Sequence, residues 1–267
     1  MSEKKIIEKT LEPITKTRIK EALKTLGIQA QDCVLVHASL SSMGWVVGQE
    51  VTVIEALQEA LSEGTLMMPS HSVGNSDPAD WVNPPVPKSW IQTIYDHMPA
   101  FDPEKTPTRG MGRIAELFRR WPGVVRSNHP QTSFSAWGKA KTSLTQPHAL
   151  TPMFGEASPL AHLLKEEGYV LLLGVGYDSC TLLHLAEFRA QVLEEKMTGC
   201  ALIENGKRRF KKYLDFDYDD EDFLKLGEAF EQAHVVKKTI LGNATLTLLD
   251  ANALMAFAVP WLKAHRT

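Results

Sequence analysis

Continuously apolar segments alternate with amphipathic ones along this chain, and this alternation limits the folds open to it. Four apolar segments predict buried strands, at residues 33–37, 65–69, 169–176 and 245–249. Strands that are buried on both faces lose the polar-apolar alternation of a half-exposed strand, so they indicate a sheet covered by helices on both sides. We therefore predict an α/β fold, a sandwich of helices around a largely buried mixed sheet.

The intervening segments carry the signals of helices. Residues 17–26 place apolar side chains on one stripe and stop at Gly27. Ser158 is a predicted helix cap followed by a proline at the first helical position, and Asp250 is the predicted cap of the last helix. Asn205-Gly206 lies between two short strand-like segments, residues 200–203 and 207–214, which is a strong signal for an antiparallel hairpin. The proline-rich stretch at residues 78–87 is too short for an interdomain linker. We expect one domain over residues 1–267 with the hairpin as an insertion.

Charge and hydropathy exclude several classes of protein. The 29 Lys and Arg residues against 32 Asp and Glu give a net charge of -3, which argues against nucleic acid or an anionic membrane as a partner. The longest apolar stretch, residues 253–262, contains Pro260 and is far shorter than the roughly 20 residues that a spanning helix needs. A polar N-terminus and three cysteines without CxxC spacing predict a cytoplasmic location.

Polar segments follow three of the predicted strands, at residues 37–44, 70–72 and 176–179. Ligands of open α/β sheets bind beyond the carboxyl ends of the strands, so these segments predict one cleft. Residues 37–48 run through hydroxyls and two glycines into a helix start, which could bind a phosphate through backbone N–H groups. An ordinary strand-to-helix turn is the alternative, because neither a Walker loop nor a GxGxxG motif is present.

His184 and Glu187 are three residues apart in a predicted helix and share one face. A carboxylate that accepts the ring N–H fixes the tautomer and leaves the other nitrogen as a general base. The alternative is a surface pair or a core histidine with its hydrogen bonds satisfied. Cys180 could be a nucleophile on the same face or a small buried apolar residue. His37, His71 and His184 could also bind zinc, although no clustered metal-ligand spacing supports this.

Two charge runs accompany the hairpin, a basic one on its second strand and an acidic one directly after it. The acidic run includes Asp215, Asp217 and Asp219. It is either a solvated edge or a surface that attracts a polycationic substrate.

Four segments, taken in order, resemble the successive motifs of the aminoglycoside 3-N-acetyltransferase family. They are residues 36–57 (VHASLSSMGWVVGQEVTVIEAL), 64–72 (GTLMMPSHS), 106–138 (TPTRGMGRIAELFRRWPGVVRSNHPQTSFSAWG) and 171–190 (LLLGVGYDSCTLLHLAEFRA). The resemblance implies an α/β fold distinct from the GNAT acetyltransferases. It also implies antibiotic resistance by acetyl-CoA-dependent transfer of an acetyl group to the 3-amino group of an aminoglycoside, without an acyl-enzyme.

The resemblance also implies roles for individual residues. His184 falls on the general base of the family's HxxE motif and Glu187 on its orienting partner. Asp178 could hold a cationic acceptor, together with Asp215, Asp217 and Asp219, and Thr181 or nearby N–H groups could meet the developing oxyanion. The residues expected to bind the cofactor are His37, Ala38, Ser39, Leu40, Ser41, Ser42, Met43, Gly44, Trp45, Val46, Val47, Ser70, Arg109, Gly110, Met111, Gly112, Ser127, His129, Ser133 and Phe134.

The expected partners are acetyl-CoA and a small cationic amine; no metal is expected, and a homodimer is left open. Three alternatives remain at this point. They are the same transfer to a different small amine, a CoA-binding protein without aminoglycoside activity, and a metal-dependent hydrolase.

Overall fold

A mixed sheet of seven strands forms the centre of the molecule in the computed structural model, which describes residues 3–266. Its strand order is β3-β4-β2-β1-β5-β9-β8, and a separate two-stranded sheet pairs β6 with β7. The strands are β1 (Cys33–Ala38), β2 (Thr65–Pro69), β3 (Val125–Arg126), β4 (Phe134–Gly138), β5 (Tyr169–Leu173), β6 (Glu195–Glu204), β7 (Lys207–Phe216), β8 (Lys237–Leu241) and β9 (Ala244–Asp250).

Helices connect these strands and cover both faces of the sheet. They are α1 (Glu3–Lys9), α2 (Lys16–Thr25), α3 (Leu40–Met43), α4 (Gln49–Ala60), α5 (Ile91–His97), α6 (Gly112–Phe118), α7 (Lys141–Thr145), α8 (Pro159–Lys165), α9 (Leu182–Ala190), α10 (Phe223–Ala233) and α11 (Ala251–His265). No helix within residues 3–266 is both long and apolar enough to cross a membrane.

The three central strands, β2, β1 and β5, are parallel, and the flanking strands β4 and β9 run antiparallel to them. Successive side chains of a strand point to opposite faces. Val34 and Val36 accordingly pack into the core beneath α2 and α4, whereas Leu35 packs into the core on the side of α9 and α11. All three side chains are almost fully buried. The predicted α/β sandwich with a largely buried mixed sheet is confirmed.

The hairpin turns at Asn205 and Gly206, whose φ angles are 52° and 72°. Both residues adopt the left-handed conformation that a two-residue hairpin turn requires, which explains the Asn-Gly pair. Its strands extend further than the predicted residues 200–214, because pairing continues to Glu195 and Phe216. Asn75 anchors the hairpin, since its side-chain amide donates to the Ala201 carbonyl (2.9 Å) and accepts from the Ala201 N–H (2.8 Å).

Local signals predicted some details correctly and missed others. Asp250 caps α11 by accepting the Ala253 N–H at 2.8 Å, as expected. Ser158 has the backbone conformation of a cap, but its buried hydroxyl has no hydrogen-bond partner within the described residues. The prediction that its side chain caps α8 is therefore wrong. No local pattern predicted β3, β4 or β8, because these strands are short or rich in polar residues.

Candidate active site

A cleft of about 810 Å³ opens at the carboxyl ends of β1, β2 and β5. Because these strands are parallel, their carboxyl ends lie along one edge of the sheet. His37, His71 and Asp178 come from the three polar segments that follow the strands, and all three residues line the cleft. The structure therefore brings together the three segments that the sequence placed at strand ends.

His184 and Glu187 form a hydrogen-bonded pair at the base of α9. The His184 Nδ1 lies 2.5 Å from Glu187 Oε2, and the Glu187 side chain is fully buried. An ionised carboxylate only accepts hydrogen bonds, so Nδ1 carries the ring proton and donates a hydrogen bond to Glu187. His184 lines the cleft, and its Nε2 has no hydrogen-bond partner among residues 3–266. The lone pair of Nε2 is thus available to accept a proton from a ligand.

The second oxygen of Glu187 is also occupied. Oε1 accepts the backbone N–H of Asp219 at 3.1 Å and a hydrogen bond from the Arg266 guanidinium. Both carboxylate oxygens therefore have defined partners, which holds the carboxylate in one orientation toward the imidazole.

Aromatic side chains surround the imidazole of His184. Phe154 stacks on it with ring centroids 4.9 Å apart and an interplanar angle of 17°. Tyr218 meets the ring edge at 5.6 Å, and Phe223 packs at 5.1 Å. These contacts restrict rotation of the ring, so the free Nε2 keeps a constant direction.

His37 and His71 flank the same cleft but are more deeply buried than His184. Burial lowers the pKa of each to about 3, and the nearby His184 adds to this effect. Both are therefore neutral at physiological pH, and the buried Nε2 of each has no partner within the described residues. The zinc hypothesis gains no support, since residues 3–266 contain no group of three or more His, Cys, Asp or Glu side chains placed to hold a metal ion.

Cys180 is fully buried and lies among the apolar residues packed on α9. Burial raises the pKa of its thiol to about 12. The thiolate, which is the nucleophilic form, is therefore scarce at neutral pH. This environment supports the interpretation of Cys180 as a small buried apolar residue rather than a nucleophile.

Part of the predicted cofactor-binding set lines the cleft. Thr181, three residues before His184, also lines it. The lining members of the cofactor set are His37, Ala38, Ser39, Leu40, Ser41, Gly44, Trp45, Gly110, Met111 and Gly112. Gly44, with a φ of 103°, and Gly110, with a φ of 81°, have conformations that residues with a Cβ rarely adopt.

The other members of the cofactor set lie outside the lining. Met43 and Val46 belong to the apolar core, and Ser42 turns its hydroxyl to Ser39 at 2.7 Å. Val47 and Arg109 are exposed, and neither is among the lining residues.

A fully buried polar network behind the cleft contains five more of the predicted residues. They are Ser70, Ser127, His129, Ser133 and Phe134. His129 Nδ1 accepts the Thr132 N–H at 2.9 Å, and its Nε2 donates to the Leu150 carbonyl at 3.1 Å. Burial lowers the pKa of His129 to about 4, so it is neutral. These groups have hydrogen-bond partners within the protein, and none of the five residues is among the lining residues of the cleft.

The acidic residues after the hairpin are placed differently from the expectation. Asp215 is buried, and its carboxylate accepts the backbone N–H groups of Met153 (3.1 Å) and Phe216 (2.8 Å). Asp217 pairs with Lys196 at 2.6 Å, and the Asp219 carboxylate accepts the Glu221 N–H at 2.9 Å. None of the three is among the lining residues of this cleft; the neighbouring Asp220 and the more distant Asp178 are.

Four residues that shape the site carried no usable local signal. Phe154, Tyr218 and Arg266 contact the His184–Glu187 pair from distant parts of the chain. Arg113 lines the cleft and pairs with Glu50 at 2.9 Å, which links the N-terminal turns of α6 and α4. Only tertiary contacts bring these residues to the site.

The described geometry is that of an α/β protein with a hydrogen-bonded histidine–glutamate pair in a cleft at the carboxyl edge of its sheet. The model of the family described as aminoglycoside 3-N-acetyltransferase matches residues 35–263. The chain belongs to this family and is therefore an acyltransferase by class. The family expectation from the sequence is confirmed.

Individual relatives match over nearly their whole length. The prophage-derived aminoglycoside N(3')-acetyltransferase-like protein YokD of Bacillus subtilis is 47% identical over 97% of this chain and 96% of its own. The crystal structure of YokD superposes with a TM-score of 0.96, covering 99% of both chains. Aminoglycoside N(3)-acetyltransferase IX of Micromonospora chalcea is 32% identical and covers 99% of each chain. The structure of AAC-IIIb with CoASH is 28% identical, with a TM-score of 0.83 over 96% of this chain and 98% of its own.

Proposed function

We propose that this protein transfers the acetyl group of acetyl-CoA to the 3-amino group of an aminoglycoside, with His184 as the general base. The hydrogen-bonded pair of His184 and the buried Glu187, open to the cleft through Nε2, carries the proposal. A protonated amine cannot attack a thioester, so a group that removes its proton is required at the point of attack. Nε2 is such a group, and family membership supports the transferred group and the class of acceptor.

The cleft has features that fit the extended phosphate-bearing chain of acetyl-CoA. Residues 39–41 with Gly44 and Trp45 form one part of its lining, and residues 110–113 form another. A Cβ built on Gly110 would meet no atom within 4 Å, so this part of the lining is open toward a ligand. Arg113 supplies a positive charge there, which suits phosphate groups. The CoASH complex of AAC-IIIb also supports this assignment.

The acetyl thioester supplies the reacting carbonyl, and residues of this chain act on the charges that develop around it. Thr181 is buried and lines the cleft three residues before His184. The N–H groups of Leu183 and His184 are already bonded to the Cys180 and Thr181 carbonyls at 3.0 Å. We therefore assign the stabilisation of the thioester oxygen to the Thr181 hydroxyl rather than to these N–H groups.

Asp178 and Asp220 are the acidic residues of the lining on the His184 side, and both are exposed. We assign them to the cationic acceptor in place of Asp215, Asp217 and Asp219. As the amine attacks, His184 takes its proton at Nε2, and Glu187 stabilises the resulting imidazolium through Nδ1. The C–S bond of the thioester breaks as the amide forms, and the sulfur leaves as the CoA thiol after it takes up the proton from His184.

The experiment measures thiol release from acetyl-CoA with wild-type protein and the variant His184→Ala, using aminoglycosides with and without a free 3-amino group. We expect turnover only with a free 3-amino group, and a loss of about 10²- to 10⁴-fold in kcat for His184→Ala. Calorimetry with acetyl-CoA checks that the variant still binds the donor.

Two results would contradict the proposal. Near wild-type turnover of His184→Ala would exclude the base, and a trapped acetyl group on Cys180 would replace direct attack by an acyl-enzyme route. Turnover of other small amines, with none of the aminoglycosides accepted, would reject the acceptor while leaving the base and the donor intact.

A further inference from the structure

Arg266, at the end of α11, is joined to the acid-base pair from a distant part of the chain. Its Nη1 donates to Glu187 Oε1, and its Nε donates to Asp222 Oδ2 at 2.8 Å. Its Nη2 donates to the Asp219 carbonyl at 2.8 Å and to the second carboxylate oxygen of Asp222. The guanidinium therefore bridges α9, which carries His184, and the segment 218–222.

The burial of Glu187 makes a cationic partner important. Its side chain is fully buried, and the Arg266 side chain is 15% exposed. A buried carboxylate without a compensating charge takes up a proton, which would remove the acceptor that His184 Nδ1 needs. Burial disfavours the charged guanidinium, but the hydrogen bonds to Asp222 and Glu187 outweigh this effect and raise the pKa of Arg266. The positive charge is therefore permanent.

The same guanidinium fixes the segment 218–222, which forms one wall of the site. Tyr218 packs on the His184 ring, and Asp220 lines the cleft. The Asp219 backbone is held on both sides, since its N–H donates to Glu187 and its carbonyl accepts from Arg266. Arg266 also lies over the Phe223 ring at 5.8 Å, and that ring packs against His184.

We propose that Arg266 is a positioning residue of the reaction: it keeps Glu187 ionised, with Oε2 facing His184, and holds the segment 218–222 against the site. This inference rests on the proposed role of His184 as the base. Arg266 itself does not line the cleft and acts through Glu187.

Removing the guanidinium changes the charge next to the pair in a defined direction. With Arg266 present, its positive charge faces two carboxylates, those of Glu187 and Asp222. Without it, uptake of a proton by the pair becomes more favourable, so its apparent pKa rises. The other titratable groups around the pair are His37, His71, Tyr218 and Asp222, with Asp220 at the cleft wall, and none of them is substituted in the variant.

The test titrates the histidine ring signals of full-length wild-type protein and Arg266→Gln by NMR, with the His184 signal assigned by its absence in His184→Ala. We expect the apparent pKa of the pair to rise by about one unit or more. The acidic limb of the kcat/KM profile should move upward by the same amount, and kcat should fall about tenfold or more. Arg266→Lys keeps the charge but not the fork of donors, so we expect a smaller pKa rise and partial recovery of kcat.

Arg189→Gln is the matched control, because Arg189 lies on α9 with His184 and donates two hydrogen bonds to Glu156, at 2.7 and 2.9 Å. This control should leave the titration and the pH profile unchanged. Should Arg266→Gln fail to fold, Arg266→Lys carries the comparison.

Unchanged titration and kcat in the folded Arg266 variants would overturn the inference, and so would an equal change in Arg189→Gln. The NMR titration needs no acceptor substrate, so it tests Arg266 whether or not the proposed acceptor is correct. If His184→Ala retains full activity, the proposed base fails independently of the result for Arg266.

Discussion

A histidine three residues before a glutamate becomes an effective base only when both side chains are held in place. The spacing put His184 and Glu187 on one face of a helix, and the sequence predicted this part of the site. Phe154 and Tyr218, which pack on the ring, were not predicted, because their approach depends on how loops fold over α9. The spacing thus predicts the pair, and the surrounding fold determines its orientation.

Only some of the acidic residues that the sequence suggested for a cationic acceptor line the cleft. We expect Asp178→Asn and Asp220→Asn each to raise the KM for a cationic acceptor several-fold at low salt, because each removes a negative charge from the cleft wall. Steady-state kinetics at two salt concentrations measure the effect. Asp217→Asn is the control, since Asp217 pairs with Lys196 outside the lining. A larger rise in KM for Asp217→Asn than for the two cleft variants would indicate that the acceptor binds at the acidic run after the hairpin instead.

At the level of elements, the site depends on loops that follow the strands and on side chains that tie those loops together. Arg126, on the two-residue strand β3, is buried and donates to the Ser133 hydroxyl at 2.9 Å and to the Ser70 carbonyl at 2.7 Å. It also donates to the Thr106 carbonyl at 2.5 Å. Burial lowers its pKa to about 10, so it stays charged at neutral pH. No pattern around residue 126 predicted this role, because all of its partners are loop backbone or hydroxyl groups.

Arg126→Met should therefore destabilise the protein by about 3 kcal/mol, since it leaves buried carbonyls at the ends of three loops without a donor. Chemical denaturation measures the free energy of unfolding. Arg120→Met, at an exposed ion pair with Glu116, should change it by less than about 1 kcal/mol. Equal losses in the two variants would show that the contacts of Arg126 contribute no special stability.

On the scale of the whole molecule, the carboxyl edge of the sheet buries several histidines in the neutral form. Burial lowers the pKa of His37 and His71 to about 3 and that of His129 to about 4, and it places the pKa of His148 well below its usual range. An unfolded chain protonates these rings near pH 6.5. Between about pH 6.5 and 3 the unfolded state binds more protons, so stability is complete above this range and falls as the pH falls through it.

We expect the thermal midpoint to drop steeply between pH 7 and pH 5, with each such histidine costing about 2 kcal/mol at pH 5. Asp215 opposes this trend in part: burial raises its pKa to about 6, so its unfavourable contribution shrinks as the pH falls. Calorimetric scans of wild-type protein and His129→Gln measure the dependence. A flat profile from pH 7 to pH 5 would contradict it, and His129→Gln should show a shallower slope than the wild type.

The sequence by itself determined the class of fold, the family and the local pair of His184 and Glu187. These follow from periodicity, from the order of motifs and from a three-residue spacing, all of which act over short stretches of chain. Only the tertiary structure decided which polar residues face the cleft and which are buried behind it. It also decided the contact of Arg266 with Glu187, which spans 79 residues of sequence. Packing between distant segments sets these contacts, and because local propensity does not encode that packing, the motifs alone could not have located Arg266.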